Sequence, residues 1–184
     1  MPEALFFTDS EPANRLIATD PIALLIGFAL DQQVSVQKAF MGPLVLRERL
    51  GTLDPRTIAD ADLDPVFREK PAIHRFPGAM ATRVAELARH VCDNYDGDAA
   101  RVWTDATTAG ELRANIAALP GFGEMKVKAL ASVLAKRFGV ASAAQLVPAH
   151  PTLGDVDSPQ ALVDYQAGKR AHKAEARSRG KTRE

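Results

Sequence analysis

Cysteine is nearly absent from this chain, since Cys92 is the only one among 184 residues. A disulfide requires two cysteines and a protein-held iron–sulfur cluster typically requires four, so the sequence excludes both. The four histidines show no metal-ligand spacing, and one cysteine adds too little to complete a zinc site. We therefore expect a protein with no metal site and no cofactor of these kinds.

Long apolar runs and a targeting segment are also lacking. The apolar stretch 21–30 holds ten uncharged residues, whereas a helix that spans a bilayer needs about 20. The N-terminus shows no charged region followed by an apolar core, as a secretory signal peptide would. These absences predict a cytoplasmic protein with no membrane partner.

Net charge is lacking as well, since 23 Lys and Arg balance 23 Asp and Glu. The charge is unevenly distributed, because residues 169–184 carry seven Lys or Arg and only two Glu. A basic segment of this kind indicates either a DNA-binding arm or a solvated helix end, and the sequence leaves both open. We predict one domain over residues 1–168, large enough to bury a core, and a basic tail over 169–184.

What is present is helical periodicity along almost the whole chain, which predicts an all-α fold. Asp20 and Pro21 are typical of a helix start. The helix that follows is apolar on every side, as expected of a central helix. Thr108 and Glu111 have the spacing of a capping box, which predicts another helix start at about Thr108. A last helix is predicted to begin at Ser158 and to run into the basic tail.

The most informative stretch is residues 119–130, LPGFGEMKVKAL, which predicts a tight turn between two helices. Gly121 and Gly123 can adopt conformations closed to other residues, so successive N–H groups can point at one anion. The start of the second helix favours the same ligand, because its first N–H groups have no partner and the dipole is positive there. Lys126 and Lys128 follow. The pattern predicts a phosphate site for a nucleic-acid backbone, although a plain helical hairpin uses the same Leu-Pro-Gly turn.

This stretch resembles the helix-hairpin-helix of the DNA glycosylase superfamily (HhH-GPD) that includes endonuclease III and the 3-methyladenine glycosylases. Upstream, residues 20–39, DPIALLIGFALDQQVSVQKA, are similar to the early helix of those enzymes, which ends in a Gln-Gln-Val-Ser-Val type sequence. The order and the separation of the two motifs also match. Within the superfamily the chain is most similar to a base-excision-repair-type subgroup without an iron–sulfur cluster.

The resemblance implies the short form of a bilobal helical glycosylase fold, with its hairpin at residues 119–124. It implies a monomeric, nucleoid-associated repair protein that binds double-stranded DNA without sequence preference. Such proteins flip a damaged base out of the duplex, because the glycosidic bond is unreachable in the stack. A monovalent cation on hairpin carbonyls is implied as well. The residues implied in DNA binding are Gly121, Phe122, Gly123, Lys126 and Lys128.

Gln32 and Gln33 are implied in the base pocket or in filling the gap that the flipped base leaves in the duplex. The alternative is that the two glutamines only satisfy the polar groups at the end of a helix.

Two positions depart from the family pattern. The nucleophilic lysine of the bifunctional members falls at Met125, so the amine nucleophile is missing and hydrolysis by water is the expected reaction. The catalytic aspartate falls at Ala143, in a stretch from 141 to 150 without any carboxylate.

A carboxylate is available slightly further along the chain. Residues 151–158, PTLGDVDS, resemble the family's Pro-Thr-Ile-Ala-Val-Asp-Thr segment with one residue inserted. This similarity makes Asp157 the candidate catalytic residue and Asp155 the lesser alternative. The other interpretation is that Asp157 or Ser158 only caps the last helix.

Two classes of function follow from these observations. The first is an enzyme, a monofunctional DNA glycosylase, which Asp157 and the Gln-Gln sequence favour. The second is a DNA-binding protein that keeps the glycosylase fold and lacks the chemistry, which Ala143 favours. A third class, a helical protein-interaction module, would require the hairpin to have lost its phosphate role, and Gly121 and Gly123 argue against it.

Overall fold

The computed structural model describes residues 1–181, which form ten α-helices and two short 3-10 helices and contain no β-strand. The predicted all-α class is therefore confirmed. The α-helices are α1 (Glu11–Thr19), α2 (Pro21–Leu30), α3 (Val36–Leu50), α4 (Pro55–Asp60), α5 (Asp64–Arg68), α6 (Pro77–Tyr95), α7 (Arg101–Thr104), α8 (Ala109–Ala117), α9 (Glu124–Arg137) and α10 (Pro159–Lys181). The 3-10 helices span Ala141–Leu146 and Leu153–Asp155. Residues 182–184, which include Arg183 of the predicted tail, lie outside the described part.

The helices pack in two groups around one apolar core. In the first group, α2 contacts α1, α3 and α6, while α4 and α5 pack on α6. In the second group, α9 contacts α8 and both 3-10 helices, and α10 packs on the second 3-10 helix. Buried residues of both groups belong to a single cluster, so the core extends from one group into the other.

Helix α2 lies at the centre of the first group, as its sequence predicts. The Asp20 side chain accepts a hydrogen bond from the Ile22 N–H at 3.1 Å, and nine of the ten residues of the helix are buried. Gly27 lets the ring of Phe40 lie against the helix backbone, because a Cβ there would collide with the ring. Within residues 1–181, no single helix combines the length and apolar character needed to cross a membrane. Only α1 and α2 taken together do so, and a bend of 113° separates them.

Helix α8 of the hairpin begins at the predicted capping box, and α9 ends beside a glycine. The Thr108 hydroxyl accepts the Glu111 N–H at 3.2 Å, and the Glu111 carboxylate accepts the Thr108 N–H at 3.1 Å, which completes the capping box before α8. Helix α9 ends close to Gly139, whose φ of 68° lets the Val140 N–H bond back to the Leu134 carbonyl at 3.0 Å.

Helix α10 starts at the predicted position, where the Ser158 hydroxyl accepts the Ala161 N–H at 3.1 Å. Its last buried side chain is Leu162, and every described residue from 167 onward is exposed. The helix is continuous through residues 168 and 169. Burial therefore ends two residues before the predicted boundary between domain and tail, and the secondary structure does not change at that boundary.

Candidate functional site

The turn of the hairpin is held in place from the inside. Phe122 is buried, and its N–H donates to the Leu119 carbonyl at 3.1 Å. Gly121 has a φ of 80°, in the left-handed region that favours glycine. A Cβ on Gly121 would also collide with the guanidinium of Arg83, which reaches the turn from α6. The turn therefore has a fixed shape before any ligand arrives.

The start of α9 presents free backbone donors to solvent. Gly123 precedes the helix, and no side chain from residues 1–181 caps this N-terminus. A Cβ on Gly123 would have nothing within 4 Å, so the space in front of the helix is open. Glu124 lies in the first turn, but its charge is neutralised by Arg113 of α8 at 2.7 Å. An uncapped and accessible helix N-terminus is suited to an anion.

The side chains that follow the turn point in different directions. Met125 is 84% exposed, and Lys128 is exposed with its nearest ion-pair oxygen, on Glu124, at 3.9 Å. Lys126 is half-buried and turns toward α2, where its ammonium donates to the Ala29 carbonyl at 3.1 Å. It also lies 5.6 Å from the centre of the Phe122 ring. Of the two lysines predicted to contact phosphate, Lys128 thus points to solvent and Lys126 to the first group of helices.

Burial lowers the pKa of the Lys126 ammonium, and the charge of Arg83 lowers it further, whereas the charge of Asp31 opposes the shift. The Lys126 amine therefore gains its proton less readily than a lysine in water.

The chain turns sharply after α2, in residues 31–33. The Gln32 N–H donates to the Leu30 carbonyl at 2.8 Å, and Gln33 has a left-handed φ of 56°. Buried His74 holds this turn, because its Nε2 lies 3.0 Å from the Leu30 carbonyl and 3.1 Å from the Gln32 carbonyl. The ring nitrogen Nδ1 accepts the Phe76 N–H, so Nε2 carries the proton.

The two glutamines of this turn differ in exposure. The Gln32 side-chain amide lies 3.2 Å from the sulfur of Met80 and is half-buried, whereas the Gln33 side chain is exposed. Both lie at the end of α2 that Lys126 contacts, so the hairpin helix and the Gln-Gln turn are neighbours.

Asp31 is the charged residue of this turn, and sequence reasoning missed it. Its carboxyl group is half-buried, accepts no hydrogen bond and forms no ion pair with any residue from 1 to 181. Burial raises the pKa of the Asp31 carboxyl, and the nearby charges of Lys169 and Lys126 act in the opposite direction. The sequence does contain an indication that Asp31 is unusual, because the negative end of the helix dipole disfavours an acidic residue directly after a helix.

Helix α10 also contributes residues near this turn. Gln166 and Gln37 of α3 exchange two side-chain hydrogen bonds, at 2.7 and 3.1 Å. At the preceding residue of α10, burial raises the pKa of the Tyr165 hydroxyl, and the charge of Asp31 adds to the effect. The Lys169 ammonium lies 5.8 Å from the centre of the Tyr165 ring. The end of α2, α9 and α10 thus bring Asp31, Lys126, Tyr165 and Lys169 near one another, and we call these four residues the Asp31 cluster.

Neither of the carboxylates predicted from the sequence, Asp155 and Asp157, belongs to this cluster of residues. Asp155 pairs with Lys136 and accepts the Thr152 N–H, so it completes the cap of the second 3-10 helix. Lys136 is twelve residues beyond the start of α9, or about 18 Å along the helix from the hairpin. Asp157 is exposed, and no residue from 1 to 181 forms a hydrogen bond or ion pair with it. Ala143, where the resemblance would place a catalytic aspartate, is buried.

Burial would raise the pKa of Asp155, but the hydrogen bonds from Lys136 and Thr152 outweigh it and lower that pKa. Asp155 is thus an ionised, paired carboxylate with a structural role. Within residues 1–181, no three His, Cys, Asp or Glu side chains come together in a way that could hold a metal ion.

Comparison of the chain with protein-family models, curated proteins and solved structures found no match.

Proposed function

We propose that this protein is a monofunctional DNA glycosylase of the HhH-GPD type, which hydrolyses the N-glycosidic bond of a damaged or mispaired base. The observation that carries the proposal is the hydrogen bond between Lys126 and the Ala29 carbonyl. It joins the two stretches that resemble the superfamily, the hairpin and the end of α2. A backbone-binding turn beside a sharp turn with two glutamines is the arrangement that an enzyme acting on a flipped base needs.

Each part of the arrangement has a task in this proposal. The N–H groups at the start of α9 bind a backbone phosphate, and Lys128 adds a positive charge near them. Exposed Gln33 reaches the duplex and fills the gap in the base stack. The hairpin offers donors to phosphates and nothing to base edges, so double-stranded DNA of any sequence is the expected ligand.

The monovalent cation that the resemblance implies is compatible with the turn. The carbonyls of Pro120, Gly121 and Phe122 accept no hydrogen bond from residues 1–181. Those three oxygens are available to a monovalent cation, which would add positive charge beside a bound phosphate.

The alternative function is a DNA-binding protein without catalysis. Buried Ala143 favours it, because the position of the family aspartate carries no acid. Asp157 does not decide between the two functions, since within residues 1–181 no hydrogen bond or ion pair joins it to the hairpin or to the Gln-Gln turn.

The hairpin proposal is tested by Gly123→Val. A Cβ at residue 123 would have nothing within 4 Å beyond its chain neighbours, yet it would stand where a phosphate must approach. We expect affinity for an arbitrary DNA duplex to fall at least tenfold in low salt, measured by fluorescence anisotropy. The matched control is Gly110→Val, in the exposed first turn of α8, which should bind as the unchanged protein does. Equal affinities of the two variants would contradict the hairpin as the DNA site.

Catalysis is tested separately from binding. The protein is incubated with duplexes that each carry one deaminated, alkylated, oxidised or mispaired base, and the released base is measured by mass spectrometry. Release of any base with an intact sugar–phosphate backbone supports the glycosylase function. Salt-dependent DNA binding without release from any duplex favours the non-catalytic alternative.

A further inference from the structure

Asp31 is an acidic residue at a position where the helix dipole and partial burial both disfavour a negative charge. It follows the last residue of α2, where the helix dipole is already negative. Its carboxyl group is half-buried and receives no hydrogen bond from residues 1–181. Carboxylates that serve the fold are usually paired, as Asp155 is with Lys136. A residue that is unfavourable at its position and forms no stabilising contact is expected at a functional site more than elsewhere.

The surroundings of Asp31 are cationic and aromatic. Lys126 approaches from α9 and is fixed by its bond to the Ala29 carbonyl, two residues before Asp31. Lys169 approaches from α10 beside the Tyr165 ring. Neither ammonium comes within 4.0 Å of the carboxylate, so the two cations leave its oxygens unoccupied. Burial is the larger effect and raises the pKa of this carboxyl, while the two cations oppose that rise. The oxygens remain available to a ligand.

We propose that Asp31 is the catalytic carboxylate of this protein and that it faces the sugar of an extruded nucleotide. The assignment rests on the proposed glycosylase function and replaces the acid that is missing at Ala143. The ligand class is a nucleotide sugar that carries, or develops, a positive charge. Because fixed charges in a partly buried site interact strongly with a developing charge, one ionised carboxylate there provides a large stabilisation.

The reaction that Asp31 serves is a hydrolysis. The bond between the sugar C1′ and the base nitrogen breaks, and its electron pair leaves with the base. The oxygen of a water molecule forms the new bond to C1′, and the Asp31 carboxylate accepts one proton from that water. The departing base nitrogen takes up a proton in turn, which returns Asp31 to its ionised form. No metal, redox partner or covalent link to the protein takes part in these steps.

The substitution Asp31→Asn isolates the charge from the shape. Because the carboxylate makes no hydrogen bond within residues 1–181, the isosteric amide should leave the thermal midpoint within about 2 °C. Asp157→Asn is the matched control, since Asp157 is an exposed acid without a partner and the competing candidate.

The probes are two DNA duplexes that differ at one nucleotide. One carries a tetrahydrofuran abasic site, which is neutral, and the other carries a pyrrolidine analogue, whose protonated nitrogen imitates the sugar cation. Analogues of a transition state bind an enzyme far more tightly than ground-state ligands do. We expect the unchanged protein to bind the pyrrolidine duplex at least tenfold more tightly. Asp31→Asn should reduce this ratio to about one, and Asp157→Asn should leave it unchanged.

The other outcomes separate the two proposals. If Asp157→Asn removes the preference and Asp31→Asn keeps it, the assignment of Asp31 is wrong and the glycosylase function stands. If the unchanged protein binds both abasic duplexes equally, and more tightly than undamaged DNA, a catalytic carboxylate at Asp31 is again excluded. If it binds neither better than undamaged DNA, the glycosylase function itself fails.

Discussion

At the scale of single residues, Gln33 holds a backbone conformation that costs energy. The left-handed region costs a residue with a Cβ about 1–2 kcal/mol, and Gln33 lies there with a φ of 56°. The strain is sustained by His74, which binds the carbonyls of Leu30 and Gln32 on either side of the turn. Strained residues cluster at functional sites, which supports the proposed role of Gln33 at the duplex.

The second residue of interest is Met125, at the position of the family's nucleophilic lysine. We expect no covalent adduct when the protein is mixed with abasic DNA and borohydride, because a thioether cannot form a Schiff base. The nearest amine, Lys126, is held against the Ala29 carbonyl. A denaturing gel gives the measurement, and Met125→Lys is the positive control because residue 125 is 84% exposed. An adduct mapped to Lys126 or Lys128 in the unchanged protein would contradict hydrolysis by water alone.

At the scale of elements, α10 extends about 22 Å beyond its last contact with α3, at Gln166. Removing residues 171–184 takes away five Lys or Arg and two Glu. The thermal midpoint should change by less than about 2 °C, because the described part of this segment is exposed.

The same truncation should flatten the slope of log affinity against log salt by about 2–4, since each neutralised phosphate contributes about 0.9. A full-length variant with those five cations replaced by Gln distinguishes lost charge from lost length. An unchanged slope in both proteins would identify the segment as solvated surface without a role in DNA binding.

Most helix boundaries could be predicted because their signals are local. The capping box of Thr108 and Glu111, the proline after Asp20 and the glycine after α9 each act within a few residues. Residues 4–8 carry no such signal, and their sequence alone is compatible with either a short strand or a loop. They form a loop, because the Leu5 N–H pairs with the Asn14 carbonyl of α1 and no second strand lies beside it in residues 1–181.

At the scale of the whole molecule, the glutamine pair between α3 and α10 connects the two groups of helices. Gln37→Ala and Gln166→Ala should each lower the free energy of unfolding by about 1 kcal/mol, since each removes two hydrogen bonds from a half-buried site. The double variant should cost less than the sum by about 1 kcal/mol. Urea unfolding provides the measurement.

The control for this cycle is Gln160→Ala, which breaks an exposed bond to Asp164 within α10 and should cost under about 0.5 kcal/mol. Additive effects of Gln37→Ala and Gln166→Ala would show that the pair does not couple the two groups.

The Asp31 cluster could not be predicted completely from the sequence, because its four residues come from three distant parts of the chain and come together only in the folded protein. Lys126 was expected at a phosphate, yet Ala29, 97 positions earlier in the chain, determines where its ammonium lies. Asp31 lies directly before Gln32 and Gln33, the two glutamines predicted from the sequence. The charges near its carboxyl group come from α9 and α10, and a local sequence pattern does not show that these helices approach it. Local patterns carry no information about contacts of this range.

The buried ring of Phe122 has a consequence for how tightly the proposed DNA ligand can be held. A flexible loop loses about 1–2 kcal/mol of conformational entropy for each residue that a ligand orders. Here the ring and the Phe122 N–H bond to Leu119 have already ordered the turn during folding. This loss of conformational entropy occurs when the protein folds and is not repeated when a phosphate binds. The free energy of attraction between the turn and a phosphate would therefore contribute to affinity without a deduction for ordering the turn.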